Sequence, residues 1–296
     1  MGLGHMGLPM ATNAANAGHR VIAADTADTA RRAAAAVPGI EVAPSPAAAA
    51  RRAAFVFTCL PSAEAVRSVY LGNAGIAACA RPGLLTCDCS TVDPSVARSI
   101  RDELEARGAR HLDAPIFGSP QQAREAQVFF AVSGRESDLA VVAPVLATMS
   151  RGHRYVGGAG AACTIKALQN GLGMAHAAAA GEVLALCRRL GLDVMTFIDV
   201  VIEARGLGCS KFVEDYARHA AAGSDSGSGR LYIAAKDAAL ARDLARQASI
   251  ALPILEASAD AFAAAMEAGL AEEEFTAVSR IIAKRAGDGG PRRGEG

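Results

Sequence analysis

Met1-Gly2-Leu3-Gly4-His5-Met6-Gly7 is followed by Leu8 to Ala17, a stretch with helical spacing that Gly18 closes. Gly2, Gly4 and Gly7 fit the G-x-G-x-x-G pattern. The first glycine permits a tight turn, the second lets backbone approach a pyrophosphate, and the third allows close helix packing. Pro9 is tolerated in the first helical turn, and a helix N-terminus attracts phosphate charge. Val21 to Ala24 then reads as a short apolar strand ending at Asp25, where a carboxylate can accept hydrogen bonds from adenine ribose hydroxyls. A glycine triplet alone is weak evidence. Triplet, helix, strand and terminal Asp in this order point to a dinucleotide-binding α/β fold.

Working outward, strand and helix patterns alternate as a doubly wound parallel sheet with crossover helices requires. Phe55 to Cys59 runs into Leu60-Pro61, and Leu84 to Asp88 runs into Cys89-Ser90-Thr91. Both strand ends belong at the carboxyl edge of the sheet, where open α/β sheets bind ligands. Asp93-Pro94 caps and starts a helix that Gly108 ends. His111 to Ala114 leads into Pro115-Ile116-Phe117-Gly118-Ser119-Pro120, and Val128 to Ser133 and Arg154 to Val156 extend the sheet. One piece of the fold is lacking. The glycine motif of this architecture ends a central strand, yet Gly2 follows Met1 directly. We therefore expect a short apolar stretch before Met1 in the natural product, or another segment, such as one from a partner chain, in its place.

Strand signals stop near Gly157, which divides a dinucleotide-binding domain (1–157) from an all-helical domain (158–287) and a polar, disordered tail (288–296). Helices are expected at Met195 to Ala204, Lys211 to Ala222, Leu231 to Gln247, Pro253 to Ala268 and Phe275 to Ala286. Gly223 to Gly229 reads as a mobile loop. From Gly157 to Leu190, Ile165, Leu168, Leu172, Val183 and Leu186 recur with the spacing of a buried amphipathic helix. Lys166 interrupts that apolar context, and Asn170 shares its face one turn later. Most lysines reach solvent from such a position. A desolvated one becomes a usable proton donor or acceptor.

Composition narrows the function classes. With 30 basic and 30 acidic residues the net charge is zero, so nothing marks a nucleic-acid or membrane partner. The 7 cysteines are scattered, without zinc-like pairs, and read as reduced and mostly buried. No metal site is expected. The absence of a signal-peptide pattern or a membrane-length apolar run suggests a cytoplasmic protein.

With these residues in view, the chain resembles the β-hydroxyacid dehydrogenase family, nearest to 3-hydroxyisobutyrate dehydrogenases and tartronate semialdehyde reductases. The pieces that match are Gly2 to Ala11 with Asn13, Leu60-Pro61, Asp88-Cys89-Ser90-Thr91, Asp113-Ala114-Pro115, Gly160 with Lys166 and Asn170, and Lys236-Asp237. The resemblance implies an NAD-dependent oxidoreductase that interconverts a 3-hydroxy acid and its semialdehyde, with a C-terminal domain like that of 6-phosphogluconate dehydrogenase. Lys166 would be the catalytic proton donor and acceptor. Gly2, Leu3, Gly4, His5, Met6, Gly7, Asp25, Leu60, Pro61, Thr91 and Lys236 would hold the cofactor. Asn170 and Asp237 would hold the substrate and shape its pocket. A homodimer or homotetramer is implied as well. Without the resemblance, Lys236 and Asp237 read as a solvated helix face.

One departure bears on the substrate. Where the family carries Ser-Gly-Gly after Asp-Ala-Pro and a small residue, this chain has Phe117-Gly118-Ser119, and Phe117 cannot donate a hydrogen bond. Either Phe117 turns into the core and Ser119 supplies the hydroxyl, or the pocket takes a bulkier substrate. The alternatives are thus a reductase of larger carbonyls or imines, or a catalytically silent dinucleotide-binding protein. NAD is favoured over NADP, because the Asp25 charge repels a 2′-phosphate and Thr26 stands where NADP-using relatives carry Arg. Arg31 and Arg32 are the counterweight.

Overall fold

The computed structural model describes residues 1–205, 210–224, 227, 229–285 and 287. The tail expected at 288–296 lies outside them, as does part of the loop at 223–229. The chain divides into two compact units, Met1–Ala167 and the part from Leu168 onward.

In the first unit the elements are α1 (Gly7–Asn16), β1 (Val21–Ala23), α2 (Asp28–Ala35), β2 (Ile40–Val42), α3 (Pro46–Ala50), β3 (Phe55–Thr58) and α4 (Ala63–Leu71). Then come β4 (Leu85–Asp88), α5 (Pro94–Glu105), β5 (Arg110–Asp113), β6 (Ile116–Phe117), α6 (Pro120–Arg124), β7 (Val128–Val132), α7 (Glu136–Met149) and β8 (Ser150–Tyr155). All four residues of β4 are buried, as a central strand covered on both faces requires. On α5, Val96, Ala97, Ile100 and Leu104 form the buried stripe, and the Asp93 carboxylate accepts from the Ser95 amide at 2.7 Å to cap it. Among the described residues, no helix is long and apolar enough to cross a membrane.

β1 pairs with β2, and β3, β4 and β5 pair in that order, all parallel. The third ladder departs from a purely parallel sheet, because β6 is antiparallel to β7 while β8 is parallel to it. A parallel partner needs a crossover of a dozen or more residues, and the link from β6 to β7 holds little beyond the five-residue α6.

β1 and β3 do not pair with each other. They flank a cavity of about 300 Å³ lined by Val21, Ala23, Phe55, Phe57 and Met149 among others. Met1 and Gly2 bridge its end. The Met1 amine donates to the Phe57 carbonyl at 2.7 Å, the Met1 carbonyl accepts from Cys59 at 2.9 Å, and the Gly2 amide donates to Ala24 at 3.1 Å. This is the bonding of the last residues of a strand laid between two parallel neighbours. Burial lowers the pKa of the Met1 ammonium below its ordinary value.

Helix α8 (Ala161–Arg189) runs from the first unit into the second. Its leucine-rich stripe is not buried, contrary to the periodicity reading. Ile165, Leu168, Leu172, Val183, Leu186 and Leu190 are all exposed. The opposite face packs instead through small residues, among them Ala167, Ala177 and Ala185. At Gly171 an added Cβ would come within 2.4 Å of the Ala241 Cβ. Tight helix contact through alanine and glycine leaves the larger side chains to the outer face. Hydrophobic period locates a stripe but not which side of the helix is covered.

The second unit continues with α9 (Val194–Ala204), α10 (Lys211–Ala222), α11 (Leu231–Gln247), α12 (Pro253–Glu267) and α13 (Val278–Arg285). Phe275–Ala277 is a 3₁₀ turn ahead of α13 rather than its first turn. Leu184, Tyr216, Leu231, Phe262 and Val278 lie at the centre of this core.

Candidate active site

The glycine loop divides its labour in a way that backbone geometry makes plain. Gly2 has φ +79°, and a Cβ there would sit 2.2 Å from the Cys59 carbonyl oxygen. A Cβ on Gly7 would lie 1.9 Å from the Gly2 oxygen. Both positions are closed to any side chain. Gly4 has nothing within 4 Å of its would-be Cβ, so the backbone there is open to a ligand. Met6, at the start of α1, offers no side-chain cap to the helix amides. Open backbone beside an uncapped helix start suits a pyrophosphate, and the loop fits a dinucleotide cofactor. Leu3 is buried, Met6 half-buried and His5 exposed. Asn13 ties α1 to the end of α6 by donating to the Ala123 carbonyl at 2.8 Å.

Asp25 braces this loop from the end of β1. Its carboxylate accepts from the Leu3 amide at 2.6 Å and the Ala27 amide at 2.8 Å. Arg31 is half-buried. It folds back to donate to the Asp25 carbonyl at 2.9 Å and the Thr26 carbonyl at 2.7 Å, and it pairs with Asp28. Arg32 reaches the Asp28 carbonyl at 3.5 Å.

At the ends of β4 and β5, Asp88 and Asp113 are direct neighbours in the ladder. Each holds a serine that in turn holds a backbone amide. The Ser90 hydroxyl donates to Asp88 at 2.6 Å and accepts from the Leu60 amide at 2.9 Å, which fixes the Leu60-Pro61 turn against Ser90-Thr91. Thr58 also donates to Asp88, at 2.8 Å. Having spent its one proton, Thr58 must accept from the Tyr70 hydroxyl 3.0 Å away. Burial raises the Asp88 pKa, and the Ser90 and Thr58 donors offset part of that rise. Leu60 and Thr91 are half-buried at this edge, and Pro61 is exposed.

Asp113 repeats the arrangement with different clients. Its Oδ2 accepts from the Ser133 hydroxyl at 2.7 Å and from the Gly160 amide, while Ser133 Oγ accepts from the Ala162 amide at 3.0 Å. Its Oδ1 faces His111 Nε2 at 3.4 Å, and His111 Nδ1 lies 2.7 Å from the Thr86 hydroxyl. Burial alone would raise the Asp113 carboxyl; His111, the Gly160 amide and Ser133 together outweigh it and hold the pKa below its ordinary value.

Lys166 is half-buried on α8, and its Nζ stands 4.8 Å from the centroid of the Phe117 ring. Phe117 therefore faces the lysine from β6 instead of turning into the core. Ser119 is the N-cap of α6 in a capping box. Its Oγ accepts from the Gln122 amide at 3.3 Å, and the Gln122 side chain accepts from the Ser119 amide at 2.9 Å. Gly118, at φ +150°, is exposed between them.

In the second unit the remaining predicted residues come together. Asn170 donates to Asp237 Oδ2 at 2.6 Å, and the Lys236 ammonium lies 3.0 Å from Asp237 Oδ1. Asp237 is 6% exposed, so this pair is not a solvated helix face. The structure also adds residues that sequence reading passed over: Thr58, Tyr70, His111 and Ser133. Asp88 and Ser90 were visible as a motif, but Ser133 ends a plain apolar strand and carries no local signal. Among the described residues, no group of His, Cys, Asp or Glu could hold a metal ion.

Residues 1–162 match the NAD-binding domain of 6-phosphogluconate dehydrogenase, and residues 159–282 match the NAD-binding domain of NADP-dependent 3-hydroxyisobutyrate dehydrogenase. A probable 3-hydroxyisobutyrate dehydrogenase of Mycobacterium tuberculosis is 37% identical over 206 residues, covering 70% of this chain and 69% of its own. An NAD-dependent L-serine dehydrogenase of Pseudomonas aeruginosa is 30% identical across 95% of this chain and 96% of its own. The solved structure of Psf3 in complex with NADP+ and 2-OPP superimposes with a TM-score of 0.86 at 25% identity, covering 95% of this chain and 98% of that one. The chain thus belongs to the β-hydroxyacid dehydrogenase family of NAD(P)-dependent oxidoreductases.

Proposed function

We propose that the protein is an NAD-dependent dehydrogenase that interconverts a 3-hydroxy acid and its semialdehyde, with Lys166 as the proton-transfer group. The observation that carries this is the placement of the Lys166 amine beside Phe117, at the start of α8, in the same unit as the glycine loop. When bound, the nicotinamide supplies the hydride acceptor or donor. Lys166 Nζ takes the hydroxyl proton during oxidation and returns it during reduction. Gly2 to Gly7 hold the pyrophosphate and Asp25 the adenine ribose; Leu60, Pro61 and Thr91 bound the cofactor at the sheet edge. Of the second unit's residues, Asn170, braced by buried Asp237, is assigned to the substrate and Lys236 to the cofactor. The Ser119 hydroxyl keeps its proton for a substrate carboxylate, since its oxygen alone is used in the cap.

NAD is the favoured partner, because the guanidinium of Arg31 is already engaged by Asp28 and two carbonyls. The outward stripe on α8 supports self-association through that helix, which light scattering would test. Phe117 supports a second reading, a substrate with a larger or less polar group beside the reacting carbon. Turnover of NAD with a panel of 3-hydroxy acids, graded by side-chain size and followed by absorbance of reduced cofactor, separates the two. Failure of every hydroxy acid alongside reduction of imines would overturn the proposal.

A further inference from the structure

The two buried aspartates at the ends of β4 and β5 have parallel bonding but different clients. Asp88 serves the Leu60 turn through Ser90. Asp113 serves α8. Its Oδ2 receives the Gly160 amide directly and the Ala162 amide by way of the Ser133 hydroxyl. The first amides of a helix have no partner within the helix, and here two of them end on one carboxylate. That carboxylate is itself firmly held. Asp113 and Ser133 exchange both backbone hydrogen bonds, at 3.0 and 2.9 Å, and both side chains are buried. Gly160 cannot drift on this anchor. At φ +90°, a Cβ there would lie 2.8 Å from the Arg98 guanidinium and 3.2 Å from the Pro94 carbonyl oxygen.

Lys166 stands four residues beyond Ala162, one turn along the same face of the helix. A change in where the first turn begins is therefore passed to the Lys166 amine. Reaction rates are steep in such placement, since misplacing a reacting group by about 1 Å can cost about 10²-fold. We propose that Asp113 is a positioning residue for proton transfer: through Ser133 it holds the Gly160 and Ala162 amides and so fixes where Lys166 presents its amine. The inference rests on the reading of Lys166 as the proton-transfer group.

A double-mutant cycle tests it, using kcat for Asp113→Ala, Lys166→Ala and the double variant, with NADH affinity measured by fluorescence. Alanine is used because an asparagine oxygen could still accept both bonds that fall on Oδ2. Asp113→Ala should lower kcat by about tenfold or more while leaving NADH affinity within about twofold, and should cause no further loss in the Lys166→Ala background. Losses that multiply across the cycle would show that Asp113 does not act through Lys166. Amide hydrogen exchange at residues 160–166 separates this from the catalytic reading, because loss of the anchor speeds exchange there whichever group moves the proton. If Lys166→Ala keeps its rate while exchange in Asp113→Ala rises, the catalytic reading has failed and the anchoring has not. Unchanged exchange would overturn the anchoring itself. Should Asp113→Ala fail to fold, Ser133→Ala removes the link to Ala162 and leaves the Gly160 amide on Asp113. Its loss in kcat should be recovered by Ser133→Thr, which keeps the hydroxyl; no difference between the two would refute the relay.

Discussion

The ammonium of Lys166 lies 4.8 Å from the centroid of the Phe117 ring, so a residue that cannot hydrogen-bond faces the amine directly. A cation over an aromatic face is favourable by about 0.5–1 kcal/mol when exposed and by about 2 when desolvated. The ring also occupies space beside the amine where a substrate group would go. Phe117→Ser should open that space and add a hydroxyl. The expected outcome is a higher kcat/KM for a small 3-hydroxy acid and a lower one for larger substrates. Steady-state kinetics on a graded series checks it, and equal values for both enzymes would remove Phe117 from the pocket.

Lys166→Ala removes the amine but none of the residues proposed to hold the dinucleotide. Turnover should fall by about 10²–10⁴-fold, the usual contribution of a general acid–base group. NADH affinity, read by fluorescence titration, should stay within about twofold. Retention of more than about a tenth of the rate, with chemistry limiting, would exclude the lysine from proton transfer.

In the proposed cofactor site Asp25 would set its carboxylate beside the ribose, and Arg31 is turned back on the carbonyls of Asp25 and Thr26. Asp25→Asn keeps one acceptor for the Leu3 amide and removes the charge. The ratio of kcat/KM for NADP over NAD should rise by about fivefold, as loss of a repulsion on the order of 1 kcal/mol implies. An unchanged ratio would locate cofactor choice elsewhere.

Gly2 and Gly4 should respond in opposite ways to the same substitution. Gly2→Ala forces a Cβ to 2.2 Å from the Cys59 oxygen and strains a positive φ. The thermal midpoint should drop sharply, with loss of several kcal/mol or failure to fold. At Gly4, where a Cβ meets nothing within 4 Å, alanine should leave the midpoint nearly unchanged and weaken NADH binding instead. Calorimetry and a binding titration on both variants decide.

Acid stability should carry the mark of Asp113, whose folded pKa is depressed. Its contribution is complete above the unfolded carboxyl value of about 3.9 and is lost as pH falls through the lower folded value. Urea unfolding across the acid range should therefore show a shallower fall below about pH 4 for Asp113→Asn than for the parent. Equal slopes would mean that the carboxyl titrates alike in both states.

Local signals carried much of this molecule. The glycine loop, the alternation from β3 to β5 and the Asp93-Pro94 cap were legible because turn chemistry and caps are written within a few neighbouring residues. The α8 stripe was misread because periodicity does not say which face of a helix a neighbour covers, and here alanine and glycine make the close contacts. The short antiparallel β6 arises from pairing with β7 across 12 to 14 residues, and the Ser133 relay from contact with Asp113 across 20. No window around Ser133 contains that information. Asn170, Asp237 and Lys236 were named through family likeness, and their mutual bonding appears only once α8 and α11 are side by side.

The cavity between β1 and β3 has a consequence for how the domain yields. The space bounded by Val21, Phe55, Phe57 and Met149 is partly open, and no ladder joins β1 to β3 along it. Met1 and Gly2 are the backbone clasp across that space. The β1–β2 half, which carries Asp25, is thus expected to open from β3–β4–β5 along this line, and native-state hydrogen exchange should show it doing so ahead of global unfolding.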